Sequence, residues 1–169
     1  VAEELRKLTV LFDCGTNRIF EDSKYKYVFR TKAHQVLDSV AAAKYVLSVK
    51  PNVKTIAGIN QDYAWGRDSW ESFRRAMLKL KPDVQVVAEL WPKLLAGEYS
   101  AEISRLLVAK PDVIHSSFWN GDIIGLVKQG APRGLFSQSL VVLTAGEHML
   151  QDVGKDMPEG VVIGARGDH

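Results

Sequence analysis

The side chains of this chain that are equipped for chemistry are few and scattered. Its one cysteine, Cys14, has no His or Asp close by in sequence to activate it. The histidines, His34, His115, His148 and His169, show none of the short spacings by which metal ligands are set. There is no G-x-G-x-x-G, no G-x-x-x-x-G-K-[ST] and no G-x-S-x-G, and the GDIIG at 121–125 has two glycines only. No pair of carboxylates is placed for general acid–base work. A different pattern recurs, in which large aromatic rings sit among polar groups in short turns. The turns are Asn60-Gln61-Asp62-Tyr63-Ala64-Trp65, Phe118-Trp119-Asn120-Gly121-Asp122 and Ala145-Gly146-Glu147-His148. Apolar walls with a few aimed hydrogen-bonding groups suit a concave site for a small molecule.

Each of those turns follows an apolar run. The runs at 53–59, 84–91, 112–118, 139–144 and 160–165 read as strands. Segments of helical period lie at 32–49, 66–80, 98–109 and 121–129, with a helical turn or two at 147–153. On the helix at 66–80, Trp70, Phe73, Met77 and Leu80 fall on one face, and Pro82 lies beyond its end. Near-continuous apolar strands alternating with helices predict strands buried on both faces. The expected fold is therefore α/β, a doubly wound parallel sheet flanked by helices, with its order reversing near the strand at 53–59. Parallel strands end on one side, so the three turns converge on one edge of the sheet. The start fits this scheme less well. A strand at 8–13 and an extended VFRT at 28–31 are separated by a long loop, so residues 1–30 are assigned to a different unit from 31–169.

Composition narrows the function. With 46% hydrophobic and 25% charged residues the chain is ordinary globular protein, and its formal net charge of +2 is scattered without a Lys/Arg block. No nucleic-acid partner is expected. The longest apolar runs are too short to span a bilayer. A lone cysteine allows no intrachain disulfide. The chain starts without Met and ends just after an apolar run, so both ends are expected to be cuts through a longer protein, with any secretory leader lost.

Structural roles compete with binding at each position. Trp65 reads as an anchor for the helix start, Phe118 equally as the last core residue of its strand, and Glu147 as an acidic first-turn residue opposing the helix dipole. Asp122 reads as another helix-start acid, His115 as a core histidine, and Asp68 as a solvated helix residue. Trp119 stands where a turn prefers Asn or Gly.

Taken in order, YVFRT, AHQVLDSVAAAKYVL, VKTIAGINQDYAWGRDSWESFRRAMLK, ELWPKLLAGEYSAEISRLLVAKPDVIHSSFWNGD and MPEGVVIG resemble type I periplasmic solute-binding proteins of ABC transporters. The similarity is to the leucine/isoleucine/valine-type branch, over nearly the whole chain. The resemblance implies two α/β lobes that close on a ligand, with 1–30 a remnant of the amino-terminal lobe and first crossing, and 31–169 an incomplete carboxyl-terminal lobe. It implies capture of a small amino acid, amide or carboxylic acid, delivery to a membrane permease, a periplasmic or extracellular location, no cofactor and no metal, and no enzymatic step. Carried over by motif, the ligand contacts are Cys14 and Thr16 in FDCGTNRIF, Tyr63 in DYAWG, Phe118 or Trp119 in SSFWNGD, and Glu147 in TAGE. Cys14 stands where the family pattern has a small residue. A sensor or regulator built on the same lobes is the alternative; a Rossmann-type enzyme would need the glycine fingerprint that is missing.

Overall fold

The structure, a computed structural model, describes residues 1–32 and 34–165. His169 and the end of the 31–169 unit lie outside the described residues. Two sheets are present. The smaller pairs β1 (Thr9–Leu11) with β2 (Val28–Arg30) in parallel, Thr9 opposite Val28 and Leu11 opposite Arg30, with the short helix α1 (Arg18–Glu21) in the loop between them. That loop was expected to be free of helix.

The larger sheet has five parallel strands in the order β4-β3-β5-β6-β7. They are β3 (Thr55–Ile59), β4 (Gln85–Leu90), β5 (Val113–Ser116), β6 (Leu140–Leu143) and β7 (Val162–Ile163). The chain runs from β3 outward to β4, then crosses back to β5 on the other side. The reversal falls at β3, as the alternation of elements implies. Residues 1–30 add no strand to this sheet.

Side chains of successive strand residues point to opposite faces, and each face has its own core. On one face Ile56, Val113 and Val142 pack with Ala43 and Val46 of α2 (Gln35–Val49) and with Trp70, Phe73 and Met77 of α3 (Ala64–Leu80). On the other, Ala57, Ile59, Ile114 and Leu143 pack with α4 (Ser100–Ala109), α5 (Gly121–Gly130) and α7 (Leu150–Val153) through Ile103, Leu106, Ile123, Leu126 and Val153. The short helix α6 (Leu135–Gln138) precedes β6 and buries Leu135.

Two expectations change here. Leu80 does not complete the buried stripe of α3; it is 48% exposed at the helix end, one turn beyond Met77. β4 is an edge strand, so its residues alternate between exposed and half-buried rather than being covered on both faces. His115 and Asp122, by contrast, are both completely buried.

Candidate functional site: a cleft at the carboxyl edge of the sheet

The turn after β3 is held from several sides. Its backbone is tied to the end of β4, Asn60 N–H donating to the Leu90 carbonyl at 3.1 Å and Asp62 N–H to that of Pro92 at 2.9 Å. The Asn60 side-chain oxygen accepts from Ser117 N–H at 2.8 Å, which joins the turn to the end of β5. Gly66 lets the first turn of α3 lie against it: a Cβ there would stand 2.0 Å from the Gln61 carbonyl oxygen. Trp65 is buried, and its indole N–H donates to the Ser117 carbonyl at 3.0 Å. Trp65 is therefore an anchor of the helix start, as its spacing implies. Its ring also forms one side of the neighbouring cavity.

Tyr63 stands at the N-cap of α3 in extended backbone and is half-buried. The Trp119 indole N–H donates to its hydroxyl oxygen at 2.8 Å. The next residue, Asn120, has φ 53° and ψ −136°, a left-handed conformation that costs a non-glycine residue of order 1–3 kcal/mol. This strained bend separates Trp119 from the start of α5.

These two aromatics border a cavity of about 540 Å³. One side comes from the first unit: Asp13, Cys14, Gly15 and Thr16 after β1, with Lys32 after β2. The other comes from the five-stranded sheet's edge: Tyr63, Ala64, Trp65, Trp119, Ala145, Glu147 and His148. Lys32 Nζ lies 3.2 Å from an Asp13 carboxylate oxygen. Cys14 and Thr16 are half-buried, as is Glu147, which opens a short 3-10 turn after β6. A second cavity, of about 710 Å³, runs along α2 and the edge strand β7, lined by Leu37, Tyr45 and Val162 among others. The aromatic turns do not reach it.

The cleft thus brings together Cys14, Thr16, Tyr63, Trp119 and Glu147, and leaves out Phe118. That ring is fully buried in the core, with its centroid 5.1 Å from that of Tyr99. The core reading of Phe118 is the correct one. Asp122 also differs from expectation. It is no solvated helix-start acid, but a buried carboxylate that accepts from the Tyr99 hydroxyl, from Gln61 Nε2 at 2.9 Å and from Leu95 N–H at 3.2 Å. Burial first, and then the bond to Asp122, hold the Tyr99 phenol above its ordinary pKa. Asp68 is corrected in the same way. Its side chain is only 14% exposed and accepts from Thr16 Oγ1 at 2.8 Å and from the Arg18 guanidinium.

Asp13 and Lys32 line the cleft without having been singled out. The carboxyl-end rule finds Asp13 once it is applied to β1 as well as to the larger sheet. Lys32 carries no signal of its own beyond following VFRT. Among the described residues no group of three or more His, Cys, Asp or Glu is placed to hold a metal, and no helix is long and apolar enough to cross a membrane.

The family model described as periplasmic binding protein matches residues 3–166. No curated protein matches the chain. Among solved structures, an amino acid ABC transporter substrate-binding protein from Pseudomonas fluorescens superimposes with a TM-score of 0.87 at 19% identity, over 99% of this chain and 44% of that one. A solute-binding protein of an ABC transporter from Rhodopseudomonas palustris, in complex with 3,4-dihydroxybenzoic acid, gives 0.77 at 25% identity, over 94% and 42%. A branched-chain amino acid ABC transporter periplasmic ligand-binding protein from Burkholderia xenovorans gives 0.72 at 17% identity, over 92% and 40%. The chain spans less than half the length of each of these three.

Proposed function

The chain belongs to the periplasmic binding protein family, and on that premise we propose that it serves in solute capture for an ABC-type uptake system. The family binds solutes without transforming them, and no bond is made or broken here. The solute is a small amino acid, amide or carboxylic acid, held between two lobes that close on it and then delivered to a membrane permease from a periplasmic or extracellular location. Closure follows from linkage: a ligand that touches both lobes only when they are shut shifts the population toward the shut form.

The observation that carries this reading is the two-sided lining of the cleft. Residues 13–16 and Lys32 face it from one unit, and Tyr63, Trp119 and Glu147 from the other. The volume of about 540 Å³ lies within the range of small-molecule sites. Aromatic rings supply apolar area, while Lys32 and Glu147 supply one charge of each sign, which suits a zwitterion or a carboxylic acid with an apolar body. The names of the neighbours support both kinds, since one is described as binding branched-chain amino acids and another holds an aromatic acid.

The test is titration calorimetry on the longest form of the protein that its gene encodes, with L-leucine, acetamide and 4-hydroxybenzoate as probes. Saturable binding of one of them, weakened by Tyr63→Ala, is expected. Failure of all of them to bind, or binding indifferent to Tyr63→Ala, would overturn the reading.

A further inference from the structure

The Thr16 hydroxyl has one proton, and it is spent on Asp68. Oγ1 donates to Asp68 Oδ2 at 2.8 Å and accepts the Arg18 N–H at 3.3 Å. The Arg18 guanidinium closes a fork on the same carboxylate, Nε at 2.9 and 3.1 Å from its two oxygens and Nη2 at 2.6 Å from Oδ1. Both partners lie on the loop after β1, and Asp68 lies on α3, 52 and 50 residues away. The clasp therefore joins the two units that line opposite sides of the cleft. Between its ends the loop is shaped by its own unit: Arg30 Nη1 donates to the Cys14 carbonyl at 3.2 Å and to that of Thr16 at 2.7 Å.

We propose that Asp68 is a positioning residue of the cleft, which through Thr16 and Arg18 fastens residues 13–18 against α3 and so holds the first wall where a solute meets it. Thr16, in this arrangement, belongs to the clasp and offers a solute no hydroxyl proton. The inference rests on the solute-binding reading for its effect on affinity, but not for its effect on the loop. A fully exposed ion pair would contribute little. This one is a fork with two parallel N–H bonds on a mostly buried carboxylate, and fork geometry confers orientation as well as energy. Arg18 itself is 55% exposed, so the clasp is open to screening by salt.

The experiment uses the longest form that the gene encodes, as wild type, Asp68→Asn, Asp68→Ala and the charge swap Arg18→Asp with Asp68→Arg. Hydrogen exchange of the amides of residues 14–20 is followed without any solute. Dissociation constants are then measured for L-leucine, acetamide and 4-hydroxybenzoate, at low and high salt. Expected are exchange at least threefold faster in Asp68→Ala, a dissociation constant about five to tenfold higher, and a smaller difference from wild type at high salt. The charge swap should recover slow exchange in part. Asp68→Asn, which keeps an acceptor for Thr16, should fall between wild type and Asp68→Ala. Unchanged exchange in Asp68→Ala would overturn the proposal, as would faster exchange with an unchanged dissociation constant. If no probe binds wild type, the solute reading is what falls, and exchange alone still decides for or against the clasp.

Discussion

The indole N–H of Trp119 donates to the hydroxyl oxygen of Tyr63 across 2.8 Å of space and 56 residues of chain. The bond joins the turn after β3 to the turn after β5, the two strands on either side of the order reversal. Each ring thereby limits the rotamers of the other. Tyr63→Ala removes the ring, the bond and the apolar area it offers. At roughly 25 cal/mol per Å² of apolar surface, covering a solute with one ring accounts for a tenfold change in affinity, or ~1.4 kcal/mol. We expect at least that loss, with the folded state intact. Tyr63→Phe keeps the ring but leaves the Trp119 N–H without this acceptor, so it should cost less. Lys79→Ala, exposed on the same helix, should change nothing. Calorimetry on the three variants checks this, and equal affinities in Tyr63→Ala and Lys79→Ala would reduce Tyr63 to packing.

Asp122 accepts from three donors in a fully buried position: the Tyr99 hydroxyl, Gln61 Nε2 and Leu95 N–H. Removing the acceptor strands all of them, and each unsatisfied buried donor costs about 1–3 kcal/mol. Asp122→Ala should destabilise the fold by about 3 kcal/mol or more in urea unfolding. Tyr99→Phe removes one donor only and should cost less than half as much. A loss under about 1 kcal/mol in Asp122→Ala would mean that water readily replaces the carboxylate.

His115 lies in the middle of β5, its ring stacked 4.5 Å from that of Phe73 and 5.9 Å from that of Trp70, centroid to centroid. Complete burial pushes its pKa down to about 3 from an ordinary value of 6.5. A folded pKa below the unfolded one means that the unfolded chain binds the proton first as the pH falls. Stability is therefore full above pH 6.5 and declines toward the folded pKa, by up to about 1.4 kcal/mol per pH unit. The depressed carboxylates Asp112, Asp83 and Glu98 act in the same direction, but only as their own, lower unfolded values are approached. The interval from pH 6.5 to about 5 thus isolates the histidine. Urea midpoints should fall across it in wild type, and fall less steeply in His115→Leu. Parallel slopes in the two proteins would show that His115 is not what titrates.

The larger sheet was legible because its signal is redundant. Apolar runs, helical periods and the prolines after β4, α3 and α4 agree with one another, so every strand of that sheet and each longer helix lies within a few residues of its expected place. The convergence of Tyr63, Trp119 and Glu147 was legible for the same reason, since direction and alternation fix which strand ends share an edge. The polar partners were not legible. Asp68 and Asp122 look alike in sequence, as acids early in helices, and only long-range packing shows that one meets an arginine from another unit and the other a buried tyrosine. Phe118 and Trp119 are neighbours of similar type, and a half-turn of backbone sends one to the core and the other to the cleft. No periodicity reports that turn, because it depends on the strained bend at Asn120.

Gly15 supplies an independent probe of the loop after β1. A Cβ on it would come within 2.1 Å of one Trp65 ring carbon and 2.6 Å of another, well inside contact distance. The ring has little freedom to yield. It is 8% exposed, and its N–H is fixed to the Ser117 carbonyl at 3.0 Å. The loop must therefore retreat from α3, which also stretches the hydrogen bond from Gln35 N–H to the Gly15 carbonyl, now 3.1 Å. Gly15→Ala should weaken solute binding about tenfold. Global stability should move by about 1 kcal/mol at most, because Gly15 lies outside both cores of the five-stranded sheet. Gly15→Ala and Asp68→Ala release the same loop by different means, so their effects on affinity should fall well short of additive in a double-mutant cycle. Fully additive losses would place the two residues in separate roles, and Gly15 would then matter only for the room it leaves Trp65.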